Sequence, residues 1–238
     1  MTNNKRDENI TFIEKTHEYI VNGNKNYISV TTLVKRLFEK FDSDTIIDNM
    51  MKSPNWKNSK YYGLTKNYIK NKWKCDGIEA ANKGTKLHSC IEKYYNNKEV
   101  NSDVIEYTYF LNFLNDNIEL KPYKSEWKVY NETKKISGTI DMVYLNPDGS
   151  VSIYDWKRSK EITKTSKYNK FSICDEINYI PDTNYWQYSI QLNLYKYILE
   201  TEYNLSVKEL YIVQLHEDLN NYVKYKVPIL ENEINNIL

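Results

Sequence analysis

Asn146-Pro147-Asp148-Gly149 separates two short segments that mix β-branched, aromatic and polar residues, Ser137–Tyr144 and Ile153–Lys157. Each of these four residues favours chain reversal: Pro fixes φ, Asn and Asp bond their own backbone, and Gly tolerates positive φ. The simplest reading is an antiparallel hairpin with strands at about 136–146 and 150–157. In such a hairpin Asp141 and Asp155 face each other, and Lys157 points to the same side as Asp155 because strand side chains alternate. Two facing carboxylates repel, and a hard cation such as Mg²⁺ or Mn²⁺ between them relieves the repulsion. Asp141 also sits in an otherwise apolar run, Ile140-Asp141-Met142-Val143, where a carboxylate without a partner is costly.

The order acid, spacer, Asp-x-Lys, here Asp141, Asp155 and Lys157, resembles the signature of the PD-(D/E)xK nuclease superfamily. Gly84-Thr85-Lys86-Leu87-His88 resembles the Gly-Thr-x-x-His helix of its RecB-like and lambda-exonuclease-like branch. Gln191-Leu192-Asn193-Leu194-Tyr195 resembles that branch's Gln-x-x-x-Tyr helix, and Glu126 stands where the branch often carries a glutamate. The elements keep the family's order over roughly residues 80–200, with Ile140 in place of the Pro of the family name. This resemblance implies a three-layer α/β/α, restriction-endonuclease-like core with a mixed central sheet. It implies a divalent-metal-dependent deoxyribonuclease, favouring an exonuclease on single strands or DNA ends. Asp141, Asp155 and the Trp156 backbone carbonyl would bind the metal, with His88 or Glu126 completing or extending the set. Lys157 would position or deprotonate the attacking water, and Gln191 and Tyr195 would position substrate or the lysine. Glu92, four residues after His88 on the same helix face, would orient the imidazole.

Oxygen-rich ligation with at most one imidazole favours Mg²⁺ or Mn²⁺ over Zn²⁺. Two other readings stay open: an endonuclease of the same fold on RNA or branched DNA, and a non-catalytic nuclease-fold DNA-binding subunit. The intact Asp141, Asp155 and Lys157 set argues against the second.

Lys and Arg number 33 against 32 Asp and Glu, a net charge of +1, so any grip on a polyanion must be local. Arg158, Lys160, Lys164, Lys167 and Lys170 follow the Asp-x-Lys segment and offer a phosphate track, or a plain solvated loop. Tyr61, Tyr62 and Trp73 are interleaved with lysines, as single-strand binders combine stacking with backbone contact, although part of that stretch must be helix core. The 23 tyrosines, alongside frequent Asn, Lys and Ile, match the codon bias of an AT-rich genome. Three cysteines, Cys75, Cys90 and Cys174, are too few for a four-cysteine iron–sulfur cluster. A phosphate-binding Gly-x-x-x-x-Gly-Lys-Ser/Thr loop is missing, so no nucleotide cofactor is expected. With no signal-peptide pattern and no apolar run near the roughly 20 residues of a membrane span, an intracellular, reducing compartment and no membrane partner are expected.

Before the hairpin, residues 9–30 predict a decorating β-hairpin turned at Asn22-Gly23. Helices follow near 31–38 and 44–51, then a loop over 52–63, a helix from Thr65 through Trp73, and a separate helix after Gly84. A helix carrying Val104 to Leu114 precedes strands at about 123–131, 136–146 and 150–157. The connection 158–183 reads as functional or mobile, 185–203 as a helix, and 208–216 and 222–228 as strands. The expected division is an N-terminal hairpin and helical lobe, 1–80, packed on a nuclease core, 81–238. His17, His216, Asp148 and Asp175 lack site context and read as structural or turn residues.

Overall fold

The structure is a computed structural model and describes residues 5–238. Its strands are β1 (Ile10–Ile13), β2 (Glu18–Val21), β3 (Ile28–Ser29), β4 (Lys121–Asn131), β5 (Ile136–Leu145), β6 (Val151–Lys157), β7 (Val207–Gln214) and β8 (Val223–Val227). Its helices are α1 (Val30–Arg36), α2 (Ser43–Lys52), α3 (Lys66–Tyr95), α4 (Ile105–Asp116), α5 (Asn184–Glu202) and α6 (Glu231–Ile237). The hairpin expected from Asn146–Gly149 joins β5 to β6: Gly149 takes φ 82° and donates to the Asn146 carbonyl at 3.0 Å.

Six strands form a mixed sheet in the order β3-β5-β6-β7-β8, with β4 on the remaining edge of β5. β6 and β7 run parallel and are joined through α5, as a parallel crossover requires. On one face Ile140, Ile153, Leu210 and Ile212 pack with Ile190, Leu194 and Ile198 of α5 and with Val34 of α1. On the other, Met142, Tyr154, Trp156 and Val213 pack with Leu87 and Ile91 of α3 and Phe110 and Phe113 of α4. Three layers result, α/β/α, and residues 151–156 are buried throughout because both faces of β6 are covered.

The chain forms two compact units: one holds residues up to Glu39 together with Leu87–Leu238, the other Lys40–Lys86. The first therefore includes β1 to β3 and α1, which the sequence grouped with everything before residue 80. In the second unit Asp42 caps α2 by accepting from the Asp44 and Thr45 amides, and Ile47 and Ile69 are fully buried. Tyr61 accepts a hydrogen bond from Trp73 Nε1 at 2.9 Å there, and Lys66 pairs with Asp48 at 2.7 Å.

Three local expectations need correction. Helix α3 is continuous over 30 residues and runs through Gly77 and Gly84; an isolated glycine costs only about 1 kcal/mol relative to Ala, too little to break it. The β1–β2 turn lies at Glu14–His17, whereas Asn22 (φ 49°) and Gly23 (φ 76°) make a second reversal that bridges Val21 to Asn24. The connection after β6 is fastened to the core: Ser172 Oγ and the Ile173 amide both donate to the Leu37 carbonyl, at 2.7 and 2.9 Å, and Ile177 and Ile180 are buried. Among the described residues no helix is long and apolar enough to cross a membrane.

Candidate active site

One edge of β5 is paired along its length by β4. The opposite edge carries β3 only at Ile136 and Ser137 and β6 only from Met142 onward, leaving a fork at Gly138–Asp141. Asp141 fills it: its Oδ2 accepts the Trp156 backbone N–H at 2.8 Å, so a carboxylate replaces the missing rung of the ladder. The register that pairs Ser125 with Met142 and Trp127 with Ile140 sets Glu126 directly across from Asp141. Glu126 holds φ 45°, a left-handed conformation unusual for a glutamate inside a strand. The in–out alternation slips here, for Ile140 and Val143, three apart, both pack toward α5 while Met142 packs toward α4.

His88 enters from α3. Its Nε2 donates to the Trp156 carbonyl at 2.9 Å, and its Nδ1 lies 3.6 Å from Glu126 Oε1 and 3.7 Å from Asp141 Oδ1. Burial opposes charge on the imidazole, but Asp141 and Glu126 outweigh it and lift its pKa to about 9. Burial likewise raises the Asp141 pKa, against the pull of His88 and Lys157. Ligand atoms of His88, Glu126 and Asp141 all lie within 4.8 Å of one another, a donor set of one nitrogen and two carboxylates that fits a divalent cation. Of the sequence-predicted ligands, His88 and Asp141 belong to this set and the Trp156 carbonyl adjoins it through His88; Asp155 is not a member.

Asp155 faces α5 instead. Gln191 Nε2 donates to its Oδ1 at 3.3 Å, and Lys157 Nζ lies 2.8 Å from its Oδ2. That second contact is an ion pair without aligned hydrogen-bond geometry. Burial dominates and raises the Asp155 pKa to about 6, whereas Asp155 and Asp141 together overcome burial at Lys157 and raise its pKa. The ammonium is thus held charged. Tyr195 packs on Gly138: a Cβ at that position would lie 2.7 Å from Tyr195 Cε1 and 2.9 Å from its hydroxyl. Only glycine lets the Gln191–Tyr195 face of α5 approach the fork so closely.

Other sequence candidates are placed differently. The Arg158 side chain is 6% exposed, its Nε bonds Glu106 at 2.7 Å and its second guanidinium nitrogen bonds Glu217 at 2.7 Å, so the guanidinium is committed to two carboxylates in this structure. Its buried partner Glu106 lies 52 residues earlier, beyond any local signal. Glu92 is exposed, and the His88 ring is oriented by Trp156, Glu126 and Asp141 in its place. Lys160 pairs with Asp218, Lys167 with Glu161 and Lys170 with Glu39, while Lys164 Nζ lies over the Tyr185 ring at 4.6 Å. Such exposed pairs are weak and screened by salt. In the second unit Tyr61 and Trp73 are committed to each other, and Tyr62 is exposed with its ring 6.0 Å from Trp56.

Two residues near the fork escaped the sequence reading. Tyr19 of β2 bonds Thr139 Oγ1 at 2.9 Å, two residues before Asp141, and no pattern in the chain links that hairpin to the site. Tyr188 lies one helical turn before Gln191 on the same face of α5, a spacing that was available.

No family model and no curated protein matches the sequence. Two solved structures align along most of it. The protein SSO0001 is 16% identical, with 90% of this chain and 73% of that chain covered at a TM-score of 0.39. A Eubacterium rectale protein named "Putative exonuclease" is 10% identical, with 91% and 77% covered at a TM-score of 0.40. Likeness at this level has no functional weight, so the site must be judged by its own chemistry.

Proposed function

We propose that the protein is a divalent-metal-dependent nuclease that hydrolyses phosphodiester bonds in DNA at the β5–β6 fork. The observation that carries this reading is the convergence of His88, Glu126 and Asp141 beside the Asp155–Lys157 pair. Five ionisable groups in so small a space, three of them acids, are costly for folding unless they serve a charged ligand. His88, Glu126 and Asp141 would hold Mg²⁺ or Mn²⁺, with Asp155 and the Trp156 carbonyl adjoining. Bound there, the cation supplies a hydroxide equivalent near neutral pH and charge relief at phosphorus.

The chain's own groups do the rest. Lys157, kept charged by Asp155 and Asp141, is suited to hold a phosphate oxygen or orient the attacking water, not to take its proton. Gln191 fixes the Asp155 carboxylate, which in turn pairs with the ammonium. His88 Nε2 holds the Trp156 carbonyl from α3 and the Asp141 side chain holds the Trp156 amide from β5, so both polar groups of that residue are oriented by side chains. The family resemblance supports single strands or DNA ends as the substrate.

The test is digestion of labelled single-stranded DNA, double-stranded DNA and RNA, with free or blocked ends, in Mn²⁺ and in Mg²⁺. Cleavage of DNA from free ends is expected, and Asp141→Asn should abolish it together with calorimetric Mn²⁺ binding. The variant should remain folded, because the amide oxygen still accepts the Trp156 N–H. Cleavage of RNA or of blocked DNA would redirect the reading to an endonuclease, and no cleavage of any substrate would remove it.

A further inference from the structure

We propose that Tyr188 is the positioning residue for Lys157, its ring face and the Asp155 carboxylate together holding the ammonium next to Asp141. The inference rests on the nuclease reading of the same site. Lys157 Nζ lies 4.8 Å from the centroid of the Tyr188 ring, within the range at which the negative face of an aromatic ring attracts a cation. Tyr188, Gln191 and Tyr195 fall at i, i+3 and i+7 of α5, so one helix face delivers a contact to Lys157, one to Asp155 and one to Gly138.

The lysine needs the second restraint. A four-carbon side chain has many rotamers to lose and ends in a freely rotating ammonium. The Asp155 contact fixes a distance of 2.8 Å but lacks hydrogen-bond alignment, so by itself it leaves direction open. The ring face adds a second contact to the ammonium without taking a proton from it. A ring face also remains attractive when the ammonium shifts slightly toward a phosphate oxygen, which a second carboxylate would resist.

The proposal is tested in the full-length protein by exchanging the ring. Tyr188→Leu should lower kcat about tenfold, equivalent to about 1.4 kcal/mol, with KM and Mn²⁺ affinity unchanged. Tyr188→Phe, which keeps the ring, should restore most of that loss. Phenylalanines at 188 carrying one, two and three ring fluorines withdraw charge from the face with little change of volume, so log kcat should fall stepwise with fluorine number. A flat fluorine series would overturn the proposal in favour of simple packing. Independently of turnover, the Lys157 ε-methylene protons should be shifted upfield by the ring and inequivalent in wild type, and should collapse together in Tyr188→Leu. Unshifted resonances in wild type would refute the contact itself. Shifted resonances in a protein that cuts no nucleic acid would uphold the grip and overturn the nuclease reading instead.

Discussion

Glu126 offers a sharp test of whether strain is stored at the fork. At φ 45° a Cβ crowds the following carbonyl, at a cost of about 1–2 kcal/mol for an ordinary L-residue. Elsewhere in a strand, Gly is less stable than Ala by about 0.5–1 kcal/mol because it gives up more backbone freedom. Glu126→Gly and Glu126→Ala both remove the carboxylate, so their difference isolates the backbone. The two terms oppose each other and leave Gly ahead of Ala by about 0.5–1 kcal/mol, a reversal of the usual order. For a chain of this size that is about 1–4 °C in melting temperature. The measurement is thermal and urea unfolding of both variants in EDTA, which prevents metal binding from adding its own stabilisation. Saturating Mn²⁺ should then stabilise wild type by about 2.7 kcal/mol at one hundred times Kd, and both variants by less. Ala equal to or more stable than Gly would refute the strain, whatever happened to cleavage.

Two further outcomes follow from the packing. Arg158→Ala should destabilise by about 3–5 kcal/mol, because it strands the buried Glu106 carboxylate, and Glu106→Leu added to it should recover part of the loss; unchanged melting, or a DNA-binding defect without one, would contradict the structural role given to Arg158. Gly138→Ala should cost about 1–3 kcal/mol by driving a methyl into the Tyr195 ring, and Tyr195→Leu in the same chain should relieve it; a melting temperature equal to wild type in the single variant would show that α5 is free to yield.

What was legible in the chain was whatever neighbouring residues decide. Asn146–Gly149 specified its own turn, and the residues flanking it specified β5, β6 and their register up to Met142 opposite Tyr154, one rung short of the Asp141–Asp155 pair that the hairpin predicted. The His88 helix and the Gln191 helix were legible as motifs. Their exact duties were not: Asp155 is turned by Lys157 and Gln191 toward α5, while Glu126 takes the place beside His88. A left-handed glutamate has no sequence signature, since its conformation is imposed by the two strands around it. The pairing of Arg158 was not legible because its partners Glu106 and Glu217 are distant in sequence. Gly84 looked like a helix boundary, although one glycine costs a helix only about 1 kcal/mol relative to Ala, less than its thirty-residue ladder can absorb.

The bond from the Trp156 amide to Asp141 has a consequence for how such a chain can change over generations. The carboxylate proposed to hold the cation also closes a gap in the sheet, so a copy that lost the proposed activity would not be released from that bond. Substitutions that keep an acceptor of similar reach, Asn foremost, are open to it, whereas Ala or Val would strand a backbone donor at a cost of about 1–3 kcal/mol. Inactive descendants of this architecture should therefore drift to amides at position 141 and retain the outline of the site long after its activity is gone.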